Sequence, residues 1–255
     1  MTFALVGQEA PPSKEERARR KKTGTAFTPR MVARQCLGFA VAHIDPAYPA
    51  ESKDLVPRSP IGNRWGHVSV FDPACGSGVW SSEAKRLLPF AEVVGVELRE
   101  SDEEWTRRNT DRHVMGDFFD PSVVGQIFRD QIPGEVRIAV TNPDFKRFIE
   151  YADILLRYCE HVWLYAPVDS MLRNNSQSEW LLNNAKYVDI VYTTHGSVSF
   201  RETGDTDFRQ YGLWMLQSTP VGETSSWRMR PMPVLPGHHR KWVTRPGTEP
   251  EYWIR

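Results

Sequence analysis

Val68-Ser69-Val70-Phe71-Asp72-Pro73-Ala74-Cys75-Gly76-Ser77-Gly78 carries an apolar run into an acid and then into a glycine-rich turn. Val68, Val70 and Phe71 have the β-branched and aromatic character of a buried strand. Asp72 and Pro73 end it, and Gly76 and Gly78 let the backbone turn tightly and approach a ligand. The next residues, 79–88, have helical character, with Val79, Ala84, Leu87 and Leu88 forming an inner face. A strand, a glycine turn and a helix make the cradle in which α/β sheets hold nucleotides. The spacing departs from the dinucleotide fingerprint, because Ser81 stands where a third glycine or alanine belongs. No Gly-Lys-Ser/Thr follows, so it is not a P-loop.

Outward from this cradle the chain alternates between strand and helix patterns. Strands are read at 91–97, 113–115, 136–141, 159–167 and 189–192, and another strand closes the stretch 196–216. Helices are read from Thr28-Pro29 to Ile44 and over 99–111, 146–160 and 168–186, with Thr28 as N-cap. Strands alternating with helices predict a doubly wound α/β sheet. Residues 45–67, with four prolines, read as a long loop in which Arg58, Arg64 and Trp65 could face a substrate. Three divisions follow: a basic, flexible arm over 1–26, one domain over 27–217, and a proline-rich irregular extension over 218–255.

The bulk properties narrow the classes. With 255 residues, 40% of them hydrophobic, the chain is long enough for a sizeable core. Its formal net charge is zero, which counts against a nucleic-acid binder unless charge is segregated. Residues 14–22 hold six basic and two acidic side chains, read either as a solvated arm or as a phosphate-contacting one. The tail interleaves Arg228, Arg230, Arg240, Lys241 and Arg245 with Trp227, Trp242 and Trp253, a pattern that suits bases or hydrophobic anchoring alike. None of Cys36, Cys75 and Cys159 is in a CxxC pair, and His238-His239 has no ligand cluster, so no metal site is expected. Neither a signal-peptide pattern nor a membrane-length apolar run is present, and a soluble, cytoplasmic protein is expected.

Asp-Pro-Ala-Cys-Gly-Ser-Gly as a whole resembles the first motif of S-adenosylmethionine (SAM) dependent methyltransferases, in the version used by amino-group methylases of nucleic acids. Further matches follow in the family's order. Phe27-Thr28-Pro29 resembles the motif beside the cofactor's methionine end. Glu97 ends a strand roughly 25 residues after Asp72, close to the spacing of a carboxylate that grips ribose hydroxyls. Asp117-Phe118 matches the acid that accepts from the adenine amino group and the apolar residue lining the adenine pocket. Asn142-Pro143-Asp144-Phe145 resembles the Asn/Asp/Ser-Pro-Pro-aromatic end of the fourth strand.

The resemblance implies the Rossmann-like class I methyltransferase fold, SAM as cofactor, and roles for individual residues. Phe27, Thr28, Asp72, Ala74, Cys75, Gly76, Gly78, Glu97, Leu98, Asp117, Phe118 and Asn142 would hold SAM. Asn142 and the Pro143 carbonyl would accept the hydrogens of an exocyclic amine, and Phe145 would stack on its ring, as base-flipping enzymes require. The stretch 196–216 is similar to the C-terminal part of small phage-type N6-adenine DNA methyltransferases, which makes Ser199, Phe200, Thr206, Asp207 and Tyr211, with Asp144, substrate-side candidates. The expected reaction is methyl transfer to adenine N6 in double-stranded DNA with a flipped adenine, in a bacterial or phage-infected cell. The departure is Asp144, where the family has a second proline. It keeps open a SAM-binding protein with lost or altered catalysis. The same chemistry on RNA, on cytosine N4 or on protein glutamine also stays open.

Overall fold

The computed structural model describes residues 28, 30–44, 67–129, 135–171, 175–194, 197–199, 209–221, 228–231 and 241–243. Helix α1 (Arg30–Ile44) precedes strand β1 (Val68–Asp72) and helix α2 (Val79–Leu87). Then come β2 (Glu92–Glu97), α3 (Glu103–Asn109), β3 (Arg112–Met115), α4 (Pro121–Ile127) and β4 (Val136–Thr141). The chain continues through α5 (Phe148–Tyr158), β5 (His161–Pro167), α6 (Asn175–Asn184), β6 (Val188–Thr193), β7 (Ser197–Ser199) and β8 (Tyr211–Gln217). Strands β9 (Arg228–Pro231) and β10 (Lys241–Val243) lie within the proline-rich extension.

One sheet has the order β3-β2-β1-β4-β5-β8-β6-β9. All neighbours in it are parallel except β8, which runs antiparallel to both β5 and β6. Strand β7 pairs with β10 in a separate parallel ribbon. From β1 the chain moves outward through β2 to β3, then returns to place β4 on the other side of β1. The crevice between the carboxyl ends of β1 and β4 is therefore the topological switch point, where open α/β sheets bind ligands.

Two apolar layers hold the sheet, as alternation along the strands dictates. Val68, Val70, Ile138 and Val140 face the layer of α1 and α2, with Trp80, Ala84, Leu87 and Trp163. Phe71, Val94, Val96 and Ala139 face the layer of α4, α5 and α6, with Ile127, Phe148, Leu155 and Trp214. The fully buried Trp163 and Trp214 each remove about 150–250 Å² from water, worth about 4–6 kcal/mol before entropy is charged.

Helix α1 is fastened to α2 by a buried carboxylate. Arg34 and Arg86 both donate to Glu83 (2.9 and 2.8 Å), and Arg30 Nε lies 3.2 Å from it. Burial pushes the Glu83 carboxyl up, and the two guanidinium groups of Arg34 and Arg86 outweigh it, leaving the carboxyl below its ordinary value. Arg30 also donates to Ser82 Oγ (3.0 Å). The start of α1, and with it Thr28, is thus set against the helix that leaves the glycine cradle.

Candidate functional site

The cradle begins where β1 stops. Gly76 and Gly78 adopt φ of +55° and +72°, the left-handed region that favours glycine. Gly78 has a second reason to be glycine: a Cβ there would lie 2.6–2.7 Å from the Asn109 side chain, so α3 packs against the bare backbone. Gly76 differs, since a Cβ would meet nothing nearer than Arg99 at 3.8 Å. A side chain there would be in ordinary contact with Arg99 and the Ala74 carbonyl, so the left-handed φ, and not crowding, is what favours glycine.

Three carboxylates stand around the cradle. Asp72 is fully buried, and Ser81 Oγ donates to its Oδ2 (2.9 Å). Burial pushes the Asp72 carboxyl up to about 6, while the Thr141 and Ser81 hydroxyls and the Ala74 amide draw it partly back. Glu97, at the end of β2, accepts the Gly76 N–H on Oε2 (2.6 Å) and the Arg99 N–H on Oε1 (2.9 Å). Arg99 Nε reaches the same Oε1 at 3.1 Å. Glu97 therefore closes the cradle against β2. Asp117 is exposed and accepts the Phe119 N–H (3.0 Å), which bends the chain after β3. Phe118 is buried and stacks on Tyr151 (5.3 Å, 6°). Ala74 is half-buried against the lower apolar layer, Cys75 is buried with its thiol pushed up by desolvation, and Leu98 is exposed.

At the end of β4 the Asn142 amide nitrogen donates to Thr28 Oγ1 (3.1 Å), and Trp80 Nε1 donates to the same oxygen (3.1 Å). Asn142 Oδ1 is buried and makes no hydrogen bond. An unsatisfied acceptor thus sits at the carboxyl end of β4, and it costs free energy until something donates to it. Such a group in a native fold needs a partner: an ordered water, an ion, a ligand or a substrate.

Asp144 has φ −60° and accepts the Lys146 N–H on its own carboxylate (3.0 Å). Proline would fix φ near −65°. The aspartate reaches the same backbone angle and holds it with a side-chain cap. Phe145 is half-buried beside Tyr211 (5.9 Å), and the Arg209 guanidinium lies 5.7 Å from each ring. Tyr211 is itself buried and stacks on Tyr165 (5.7 Å, 20°), so it supports Phe145 from beneath. Arg147 lies over the Phe119 ring (3.2 Å) and pairs with Glu150 (2.7 Å).

The structure places Asp72, Gly76, Gly78, Glu97, Asn142 and Pro143 at or just after the carboxyl ends of β1, β2 and β4, with Thr28 bonded to Asn142 and Tyr211 beside Phe145. Ser199 lies in β7, the strand after β6. Phe27, Phe200, Thr206 and Asp207 lie outside the described residues. Ser81, Thr141, Trp80 and Arg99 were not singled out from sequence. Only Ser81 left a signal, as the residue replacing the expected third glycine. The described residues contain no group of His, Cys, Asp or Glu that could hold a metal, and no helix long and apolar enough to cross a membrane.

No protein-family model and no curated protein matches the chain in sequence. Solved structures do match in shape. One, described as the modification subunit of a type I restriction enzyme from Vibrio vulnificus YJ016, is 16% identical with a TM-score of 0.51, covering 89% of this chain and 51% of that one. The M protein of the type I restriction enzyme EcoKI is 11% identical (TM-score 0.49), covering 76% and 44%. An O-methyltransferase from Bacillus cereus, solved with S-adenosylhomocysteine, is 13% identical (TM-score 0.44), covering 72% and 91%. The chain spans about half the length of the two restriction-enzyme subunits. The first likeness fixes the fold: it is the Rossmann-like fold of class I SAM-dependent methyltransferases.

Proposed function

We propose that the protein is a SAM-dependent methyltransferase that modifies an exocyclic amine, with adenine N6 in DNA as the leading substrate. The observation that carries this reading is Asn142 Oδ1, an acceptor buried at the switch point with nothing donating to it. An amine hydrogen is the donor it lacks.

The crevice fits the cofactor. SAM is cationic at sulphur and at its amino group and carries two vicinal ribose hydroxyls. Asp72 offers a buried carboxylate at the end of β1. Glu97 spends three of its roughly four lone-pair sites on Gly76 and Arg99 and keeps one for a hydroxyl. Gly76 has no side chain to stand between the loop and a ligand. Bound there, the cofactor supplies an electrophilic methyl group. The remaining work belongs to Asn142, Pro143 and Phe145.

An amine conjugated to an aromatic ring is a poor nucleophile because its lone pair is delocalised. Asn142 Oδ1 accepts one of its hydrogens and the Pro143 carbonyl the other. The nitrogen then turns toward tetrahedral geometry and its lone pair is aimed. Phe145 offers a ring for the base to stack on, which is how flipped bases are held. Catalysis on this reading is positioning plus polarisation. The restriction-modification neighbours support DNA as the substrate, and the guanidinium of Arg209 beside Phe145 supports a polyanion. Capping by Asp144 removes the reason to regard the loop as too loose for catalysis.

The test is transfer of labelled methyl from SAM to unmethylated double-stranded DNA, with adenine-free DNA, adenine-containing RNA and a protein mixture alongside. Transfer to the first alone supports the full proposal. Transfer only to RNA, cytosine or protein keeps the chemistry and replaces the substrate. Tight SAM binding with no transfer to any of them overturns catalysis. Asn142→Ala retaining full activity would overturn the mechanism.

A further inference from the structure

We infer that Ser81 is a positioning residue for the cofactor: its hydroxyl holds the Asp72 carboxylate in place at the end of β1, and it acts on SAM only through that carboxylate. The inference rests on the methyltransferase reading, since it concerns the charge which that reading sets beside a cationic cofactor.

Ser81 stands where dinucleotide-binding chains have a third glycine, whose bare backbone lets the helix pack closely on its strand. Here the position is the third residue of α2 and is fully buried. The side chain that a glycine would lack therefore lies inside. Ser81 Oγ is 2.9 Å from Asp72 Oδ2 and 3.3 Å from Cys75 Sγ. A serine hydroxyl has one proton to donate. An ionised carboxylate only accepts, and a thiol sulphur is a weak acceptor, so the proton goes to Asp72. The charge on Asp72 thus fixes the polarity of this bond. The bond joins the last residue of β1 to the first turn of α2, closing the glycine turn from within. Glu97 closes it from the side of β2, through the Gly76 N–H (2.6 Å).

A buried carboxylate keeps its charge only where donors replace the water it has lost. Burial pushes the Asp72 carboxyl up to about 6, and the Thr141 and Ser81 hydroxyls and the Ala74 amide pull against it. The titratable groups that face Asp72 give no help. Glu97, from β2, pushes it further up. Cys75 in the glycine turn and Tyr151 on α5 are both held protonated by burial. With glycine or alanine at position 81 the carboxylate would lose a donor and take up its proton at higher pH. Serine keeps it ionised in the neutral range, so that a cationic cofactor meets an anion rather than a neutral acid. SAM affinity therefore falls as pH drops through the titration of Asp72, and loss of the Ser81 hydroxyl moves that fall to higher pH.

Ser81→Ala removes the hydroxyl and adds nothing. One readout needs no cofactor: the Asp72 carboxyl carbon, followed by NMR against pH and assigned by its loss in Asp72→Asn. In Ser81→Ala the proton affinity of Asp72 should rise about 10-fold or more, the scale of a hydrogen bond to a charged group. The SAM Kd, measured by calorimetry, should then be about 2- to 10-fold weaker than native at pH 7 and close to native at pH 9. Asp72→Asn should cancel the effect: adding Ser81→Ala to it should leave the SAM Kd within about twofold at both pH values. Ser81→Cys keeps a weaker donor; it should fall between serine and alanine, and it gives the sign of the effect if the alanine variant does not fold. A loss of SAM affinity equal at pH 7 and pH 9, or equal in the Asp72→Asn background, would show that Ser81 acts by packing and overturn the inference. If the native protein binds SAM at no pH, the methyltransferase reading fails and this inference with it. Native SAM binding with an Asp72 titration that Ser81→Ala leaves in place sinks this inference alone.

Discussion

Asp72→Asn should stabilise the cofactor-free protein while weakening it as an enzyme. The Asp72 carboxyl is held near 6 rather than 3.8, chiefly by burial. At 1.36 kcal/mol for each pH unit of difference, ionising it in the folded protein costs about 3 kcal/mol more than in the unfolded chain. Below pH 4 both states carry the proton and the cost is absent. It grows as pH rises from about 4 to 6 and is complete above that range. Asparagine has no proton to lose. It keeps an oxygen for the Ser81 hydroxyl and turns an amide toward the Thr141 hydroxyl, which can accept as well as donate. For a chain of this size, about 3 kcal/mol corresponds to about 6–12 °C in Tm. Urea or thermal unfolding of the cofactor-free protein between pH 4 and pH 8 reads the effect. The variant should be about as stable as the native protein at pH 4 and more stable at pH 8, with SAM affinity reduced at pH 8 and close to native at pH 4, where the native carboxyl is also uncharged. A gap that stays constant with pH, or a variant less stable at pH 8, would refute the argument that the fold carries this carboxylate at a cost.

Other perturbations separate geometry from chemistry. Gly78→Ala meets Asn109 at 2.6 Å as well as strain at φ +72°, so it should lower Tm by several degrees. Gly76→Ala meets only the strain, about 1 kcal/mol, and should lower SAM affinity far more than Tm; calorimetry and cofactor titration distinguish the two. Asp144→Pro keeps φ and loses the cap to Lys146, so kcat should stay within about threefold; a large gain would show that the aspartate impairs the loop. Glu97→Gln exchanges one accepting oxygen for a donor facing the Gly76 and Arg99 amides. SAM affinity should fall about tenfold or more, with the substrate KM unchanged.

The cradle was legible because its determinants are local. Val68–Phe71, Asp72, Gly76 and Gly78 each declare a backbone state within a few residues, and the strand-end positions of Glu97 and Asn142 follow from the alternating pattern. Three features were not legible, the first because it is short and the other two because distant partners decide them. Helix α4 is short, and its start depends on the Asp120 side chain capping Ser122. The antiparallel placement of β8 between β5 and β6 is a matter of sheet order, which no periodicity encodes. The convergence of Trp80 and Asn142 on Thr28 joins residues 52 and 114 positions away from it, and nothing near Thr28 announces either. The meaning of Asp144 also needed the fold: its sequence reading rested on a missing proline, whereas its φ and its cap to Lys146 come from the folded loop.

The insertion of β8 has a consequence for synthesis. Strand β6 touches the sheet only through β8 and β9, both of which are made later. Until residues 211–217 have emerged, β6 has no place to dock, and the outer edge of β5, carrying Val162, Trp163 and Leu164, lies open. An open apolar strand edge is a template for pairing with another chain. A nascent chain stopped anywhere between β5 and β8 would therefore present a sticky half-sheet, although the β1–β4 crevice would already have been made. Completing the sheet depends on its third-to-last position in space being filled by one of its last strands in time.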